Sequence, residues 1–166
     1  MTRDEFRAAA GVTEAVCDRI GLYLDLLEKW QVRINLVGPS TMTDPWRRHV
    51  LDAAQLMPLL PEGQGPVVDM GAGAGIPGLI LAACGVANVH LIESNGRKCT
   101  FLREAARLMG TPVTVHAQRI DAVTLEEPAR VVTARALAPL DALLGHATRF
   151  RGPKTACLFL KGQDVV

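Results

Sequence analysis

Residues 67–78 read VVDMGAGAGIPG, and this stretch decides the fold that we predict for the chain. A short apolar run leads into closely spaced glycines, and a helical pattern follows them. Glycine is needed in such a turn where a side chain would block a ligand or where φ is positive. In an open parallel sheet, this turn lies at the carboxyl ends of the strands, where ligands bind. The stretch therefore predicts a strand, a ligand-binding turn and a helix.

Three kinds of ligand compete for this glycine-rich turn. A dinucleotide-binding turn has the form G-x-G-x-x-G, but Ile76 stands where its third glycine would be. A phosphate-binding loop needs Gly-Lys-Ser/Thr, but Leu79 and Ile80 follow Gly78. The form G-x-G-x-G after an acidic strand end is used by methyltransferases that bind S-adenosylmethionine (SAM), which has no phosphate. A tight strand–helix turn without a ligand remains the alternative at this point.

Glu93 supports a ligand with a ribose. It ends the next strand-like segment, 20 residues after Gly73. A carboxylate at that position accepts hydrogen bonds from ribose hydroxyls in dinucleotide-binding folds, and it would repel a 2′-phosphate. The alternative reading is a solvated strand end.

Strands and helices alternate after Pro66. The strand-like segments are 66–70, 88–93, 112–117, 131–136 and 155–161, and the helical segments between them are 79–84, 96–110 and 139–150. Alternation of this kind predicts a parallel sheet covered by helices on both faces. Right-handed crossovers would make the sheet doubly wound, so we predict an α/β fold.

The chain before Pro66 has a helical pattern instead. Apolar residues recur at steps of three and four between residues 13 and about 34, with Thr13 as the N-cap. Asp44 and Pro45 form an N-cap followed by a first-turn proline and open a second helix, which Pro58 and Pro61 close. We expect residues 1–62 to form an N-terminal helical extension that packs on a ligand-binding core, 63–166, within a single domain.

The composition excludes several classes of protein. The chain has 166 residues, 49% of them hydrophobic, which suits one folded domain and excludes a disordered chain or a coiled coil. Eighteen basic and seventeen acidic residues make a strongly basic nucleic-acid-coating protein unexpected. The four cysteines form no CxxC pair, and no group has metal-ligand spacing, so we predict no metal. The N-terminus has no signal-peptide pattern and the longest apolar run, 76–87, is too short for a membrane span, so we expect a soluble, cytoplasmic protein.

Several separate motifs resemble one known family. They are LEKWQVRINLV (27–37), RHVLDA (48–53), DMGAGAGIPG (69–78), LIESNGRKCTFLRE (91–104), QRIDA (118–122), ARALA (134–138) and FLKG (159–162). In this order and spacing the chain is similar to the bacterial 16S rRNA guanine-N7 methyltransferases, the RsmG or GidB family. The resemblance implies a Rossmann-like class I SAM-dependent methyltransferase with an N-terminal helical extension.

The resemblance also implies a set of cofactor-binding residues. They are Gly71, Ala72, Gly73, Gly75, Ile76, Glu93, Ser94, Ile120, Asp121 and Arg135. Glu93 would hold the ribose, and Ile120 and Asp121 would flank the adenine, where the carboxylate of Asp121 can accept from the amino group. For Asp121 alone, a helix N-cap is the alternative reading.

The resemblance places catalytic and RNA-binding residues as well. Arg135 would lie beside the cofactor and the substrate, and His49 and Asp52 would face the same region as an i, i+3 pair on one helix face. A helix–core hydrogen-bond pair is the other reading of His49 and Asp52. Independently of the resemblance, basic residues cluster on one predicted helix and are expected to contact RNA phosphates: Arg97, Lys98, Arg103 and Arg107. The resemblance supports this role for Lys98, Arg119, Arg135 and Lys161. For that helix, a solvated face is the alternative.

These expectations lead to one function and two rivals. The chain would methylate N7 of a guanine in 16S rRNA of the small ribosomal subunit, guanine 527 in the family, as a monomer. N7 carries no proton, so no general base is needed. The rivals are a methyltransferase with another acceptor and a non-catalytic SAM-binding module. Members of the family usually continue for some forty residues beyond the LKG segment, so we expect C-terminal strands to be missing here.

Overall fold

In residues 1–161, five parallel strands form one sheet, in the order β3-β2-β1-β4-β5. The computed structural model describes residues 1–161. The strands are β1 Val67–Met70, β2 Val89–Ile92, β3 Thr114–His116, β4 Ala129–Arg135 and β5 Arg151–Leu160. The predicted doubly wound parallel sheet is confirmed, since the order reverses between β1 and β4 and crossovers link the parallel neighbours.

Some helices precede the sheet in the chain, and the others connect its strands. The α-helices are α1 Arg3–Ala10, α2 Glu14–Gln31, α3 Asp52–Ala54, α4 Gly78–Ala83, α5 Gly96–Met109 and α6 Leu140–Ala147. A π-helix, Trp46–Leu51, runs directly into α3, and short 3₁₀ turns cover Pro39–Thr43, Met57–Leu59 and Ile120–Ala122. None of the helices in residues 1–161 is long and apolar enough to cross a membrane.

Two expectations for the N-terminal helices need correction, and one helix has no counterpart in the sequence analysis. Helix α2 begins after its predicted cap Thr13 but ends at Gln31, not near residue 34, because the Gln31 side chain bonds to the backbone that turns away. The helix opened by Asp44 starts with a π-helical stretch, although the Asp44 carboxylate does accept from Arg47 N at 3.3 Å. Helix α1 was not predicted, and a reciprocal Thr2–Glu5 capping box begins it.

Two apolar clusters cover the two faces of the sheet, because successive strand residues point to opposite sides. Val67 and Leu91 face the larger cluster, which holds α2, α4 and α5. Val68 and Ile92 face the smaller one, which contains residues of α6 such as Leu143. In the larger cluster the Phe101 ring lies 5.7 Å from Trp30, which joins α5 to α2. The residues before the sheet are thus packed into the same core as the strands.

Asp69 ties three elements together beneath the glycine-rich turn. Its side chain is fully buried, Oδ2 accepts from the backbone N of Gly78 at 2.9 Å, and Oδ1 accepts from Thr133 Oγ1 at 3.1 Å. Burial raises the pKa of Asp69 to about 7, although both hydrogen bonds act to lower it. A Cβ on Gly78 would lie 2.5 Å from Leu91 and 2.7 Å from the Asp69 carboxylate. Only glycine fits there.

The last residues of the chain are outside this description. Residues 162–166 include Gly162 of the FLKG motif and the end of the expected 63–166 core, and they lie outside the described residues.

Gly78→Ala is expected to destabilise the fold by about 1–3 kcal/mol, because the added methyl overpacks the contact between α4, Leu91 and Asp69. Urea unfolding followed by circular dichroism measures the change. The matched control is Gly21→Ala, since Gly21 lies inside α2 with open space at its Cβ. Alanine there should stabilise by about 0.5–1 kcal/mol through helix propensity. Equal effects at both sites would contradict the close contact at Gly78.

Asp69 also predicts a pH dependence. Its pKa is higher in the folded protein than in the unfolded chain, so between about pH 4 and 7 the folded state holds a proton that the unfolded state has lost. The free energy of unfolding should therefore fall as pH rises through that window. Asp69→Asn should remove this contribution, whereas Asp25→Asn, at an exposed position of α2, should leave it in place. The same slope in wild type and Asp69→Asn would refute the assignment.

Candidate functional site

A cavity of about 850 Å³ opens at the carboxyl ends of the strands. Its lining comes from the last residues of β2 and β4 and from the segments that follow β1, β2, β3 and β4. Lys98 of α5, His146 of α6 and residues 35–39 complete it. This is the edge at which open parallel sheets bind ligands. The predicted residues that line it are Gly71, Ala72, Gly73, Ile76, Glu93, Ser94, Lys98, Arg119, Ile120, Asp121 and Arg135.

The glycine-rich turn and Glu93 form one hydrogen-bonded unit. The Glu93 carboxylate, which is 9% exposed, accepts from Gly73 N through Oε2 and from Asn95 N through Oε1, both at 2.9 Å. Gly73 has φ +52°, and a Cβ there would meet nothing nearer than Gly71 O at 3.8 Å. Each carboxylate oxygen keeps a lone pair for a further donor. The acid is fixed in place and still able to bind hydroxyls.

A buried tyrosine supports the turn from below. Tyr23 of α2 is fully buried, and its hydroxyl donates to the carbonyl of Ala74 at 2.8 Å. Burial raises the pKa of Tyr23, so the group stays a neutral donor. The sequence pattern placed Tyr23 only in the apolar stripe of a helix, and nothing in that stripe distinguishes it from a core residue.

Arg135 and His49 form a hydrogen-bonded pair beneath the cavity. Arg135 Nη2 lies 2.9 Å from His49 Nδ1. Burial, followed by the charges of Arg135 and Arg48, lowers the pKa of His49 to about 4. The ring is therefore neutral at physiological pH and accepts from the guanidinium. Among residues 1–161, Arg135 Nη1 and His49 Nε2 are buried without a hydrogen-bond partner.

His49 and Asp52 do not reach the cavity wall themselves. His49 is completely buried behind Arg135, and Asp52 is exposed on the next helical turn. The Asp52 charge acts on Arg135, whose pKa burial lowers and nearby acidic groups raise. The structure thus connects these two residues to the cavity through Arg135.

Ile120 and Asp121 lie in the 3₁₀ turn that follows β3. Asp121 is the central residue of this turn and Arg119 is its N-cap, so the alternative reading of Asp121 as a helix N-cap is wrong. Arg119 Nε pairs with Asp121 Oδ1 at 3.3 Å, and both side chains are largely exposed. A pair of this kind contributes little to stability and leaves the carboxylate available.

The basic residues fall into separate groups. Lys98 and Arg119 lie on the cavity lining, and Arg97 is exposed beside Lys98 at the start of α5. Lys161 donates to the carbonyl of Ala138 at 2.8 Å, next to the segment after β4. Arg103 and Arg107 line a shallower pocket of about 460 Å³ toward the other end of α5.

Gly75 is the one glycine predicted for the cofactor site that does not line the cavity, since it is buried in the turn.

Some of the cavity lining was not predicted from the sequence. Residues 35–39 form part of the wall, as do Gln118, Ala136, Leu137 and His146. The LEKWQVRINLV and ARALA motifs covered several of these positions but assigned a role only to Arg135. Within the described residues, no group of three or more His, Cys, Asp or Glu side chains is arranged to hold a metal.

Comparison with known proteins agrees with this geometry. The family model for GidB, rRNA small subunit methyltransferase G, matches residues 16–165. A protein named ribosomal RNA small subunit methyltransferase G from Paramagnetospirillum magneticum is 54% identical over 98% of this chain and 79% of its own length. The protein of the same name from Rhodospirillum centenum is 55% identical over 96% of this chain and 73% of its own length.

Solved structures with similar folds are methyltransferases. A ribosomal protein L11 methylase from Lactobacillus delbrueckii matches with a TM-score of 0.57 at 18% identity, covering 68% of this chain and 58% of its own. The CcbJ methyltransferase from Streptomyces caelestis matches with a TM-score of 0.57 at 23% identity, covering 83% of this chain and 56% of its own. These likenesses support the Rossmann-like fold. The family resemblance drawn from the motifs is confirmed: the chain belongs to the GidB family, rRNA small subunit methyltransferase G.

Proposed function

We propose that this protein transfers a methyl group from SAM to N7 of a guanine in 16S rRNA, the guanine 527 of the family resemblance. The observation that carries the proposal is the cavity above the glycine-rich turn, with Glu93 fixed at its floor, in a chain of this family. The relatives are named for methylation of small-subunit rRNA. The motif resemblance supplies the guanine and its N7 atom.

The residues present fit SAM. The ribose has two neighbouring hydroxyls, and the Glu93 oxygens keep lone pairs for them after accepting from Gly73 and Asn95. The absent Cβ at Gly73 leaves the floor of the cavity open. The residues that would hold SAM are Gly71, Ala72, Gly73 and Ile76 along the turn, Glu93 and Ser94 at the ribose, and Ile120 and Asp121 at the adenine. Gly75 would act by shaping the turn.

SAM supplies a methyl group on a sulfonium centre, which a neutral nitrogen with a free lone pair can attack. Guanine N7 is such a nitrogen, so the protein needs to align it and has no proton to remove. The lining agrees with a reaction that needs no general base. Its histidine, His146, lies exposed on α6. Alignment is then the main contribution that we propose for the protein.

Arg135 is the residue that we propose touches the reactants. Its Nη1 atom is buried without a protein partner in the described chain, and the residue lines the cavity, so it suits an anionic group bound there. His49 is proposed as a positioning residue that holds Nη2 from behind. Asp52 would act through its charge on Arg135.

RNA would reach the cavity across its basic rim. Lys98 and Arg119 line the cavity, and Arg97 is exposed beside them, so all three are placed to meet phosphates. Lys161 is proposed for the same role near the segment after β4. The target base must be accessible or leave its stack. We propose a monomer that works in the cytoplasm, where ribosomal RNA is found.

The test is transfer of labelled methyl from SAM to 16S rRNA and to small ribosomal subunits. Cleavage at 7-methylguanine then maps the modified base. One labelled guanine N7 would support the proposal. Label at another acceptor would favour a different methyltransferase, and SAM binding without transfer would favour a binding module. Absence of SAM binding by calorimetry would overturn the cofactor assignment.

Glu93→Gln is expected to weaken SAM binding about 10- to 100-fold, because hydrogen bonds to a charged group contribute about 1.5–3 kcal/mol. Calorimetry measures the dissociation constant, and methyl transfer should fall in parallel at SAM concentrations below saturation. The matched control is Glu127→Gln, an exposed carboxylate outside the cavity, which should bind SAM like wild type. Equal affinity in the two variants would remove Glu93 from the cofactor site.

A further inference from the structure

One wall of the cavity comes from outside the strand-end loops and α6. Within residues 1–161, the segment 35–39 is the part of the lining that precedes the sheet in the chain. The floor and the basic rim have proposed roles in holding the cofactor and the RNA backbone, and Gln118, Ala136, Leu137 and His146 come from the strand-end segments and α6. The segment 35–39, hereafter the 35–39 wall, has no role in that scheme.

The Gln31 side chain binds the backbone of the 35–39 wall at three points. Gln31, the last residue of α2, donates from Nε2 to Val37 O at 2.7 Å. Its Oε1 accepts from Leu36 N at 2.9 Å and from Val37 N at 3.0 Å. Leu36 and Val37 also pack, partly buried, against the larger apolar cluster. An irregular segment is therefore fixed to the end of a rigid helix.

Asn35 presents the amide of this wall to the cavity. Its side chain is exposed, lines the cavity, and makes no side-chain hydrogen bond within the described residues. The other polar lining groups differ from it in charge or place. Arg135, Lys98 and Arg119 are cations suited to anions. Gln118, the other amide of the lining, stands directly before Arg119 and the turn 120–122 that is proposed to hold the adenine. Asn35 is the neutral amide on the opposite segment, 35–39, and it can donate and accept.

We propose that Asn35 binds O6 of the acceptor guanine and so aligns its N7, an inference that rests on the proposed function. The edge of guanine that carries N7 presents two neighbouring acceptors, N7 and O6. An arginine would pair with both and occupy the lone pair that must attack. One N–H of a neutral amide binds O6 and leaves N7 free. Leu36 and Val37 supply apolar surface beside it.

Gln31 is then a positioning residue. It makes no contact with the base, but its three hydrogen bonds fix the backbone that carries Asn35 and its neighbours. Loss of Gln31 would leave two N–H groups and one carbonyl without their partner, and the wall would lose its fixed place. The effects of the two residues should therefore overlap and not add.

The test compares Asn35→Ala with wild type on two small-subunit substrates. One carries guanine at the methylated position, and the other carries 2-aminopurine, which lacks O6. On guanine RNA, Asn35→Ala should lower kcat/KM about 10-fold, the size expected for one lost hydrogen bond with its partner left unpaired. On 2-aminopurine RNA the two proteins should agree within about two-fold. The dissociation constant for SAM should stay unchanged.

The controls separate this inference from the proposed function. Ser40→Ala, an exposed polar position that does not line the cavity, should behave as wild type. The 2-aminopurine RNA is also measured as a competitor, so that a slow reaction still yields a binding constant. The kcat/KM of the double variant Gln31→Ala/Asn35→Ala on guanine RNA should be no lower than that of the less active single variant. An equal loss on both RNAs, or no loss on guanine RNA, would overturn the role of Asn35. A wild-type protein that methylates no guanine N7 would instead overturn the proposed function.

Discussion

The buried carboxylate of Asp69 is the constraint on which the site depends. Asp69 is the residue before the last in the central strand, and its carboxylate accepts from Gly78, at the start of α4, and from Thr133, on the neighbouring strand. The chain between Asp69 and Gly78 is the glycine-rich turn, so these bonds fix both ends of the cavity floor. A buried acid is costly unless it is hydrogen-bonded or protonated, and here both conditions reduce the cost.

The fold and the cavity floor were predictable because their signals are local in the sequence. Strand, glycines, helix and acidic residue follow one another within residues 67–93, and each element has its own residue chemistry. The capping box of α1 is equally local, since Thr2 and Glu5 stand three residues apart. The π-helical start at Trp46 has no comparable sequence signal.

The rest of the site depends on contacts between distant residues, which no local pattern records. The Arg135–His49 pair spans 86 residues and the Tyr23–Ala74 bond spans 51. The motif resemblance named His49 but could not tell that it stands behind Arg135, because burial and pairing arise only in the folded chain. The 35–39 wall has no local sequence signal for the same reason, since Gln31 binds its backbone atoms and not its side chains.

One helix connects the floor of the cavity to its wall. Tyr23 holds the floor at Ala74 and Gln31 holds the wall at Val37, and both side chains belong to α2. The two residues are eight positions apart in the helix, a rise of about 12 Å. The length of helix between Tyr23 and Gln31 therefore sets the distance between the two points at which floor and wall are held. One residue inserted between the two positions would turn them about 100° relative to each other, so the chain has to keep this count whatever side chains it places between them.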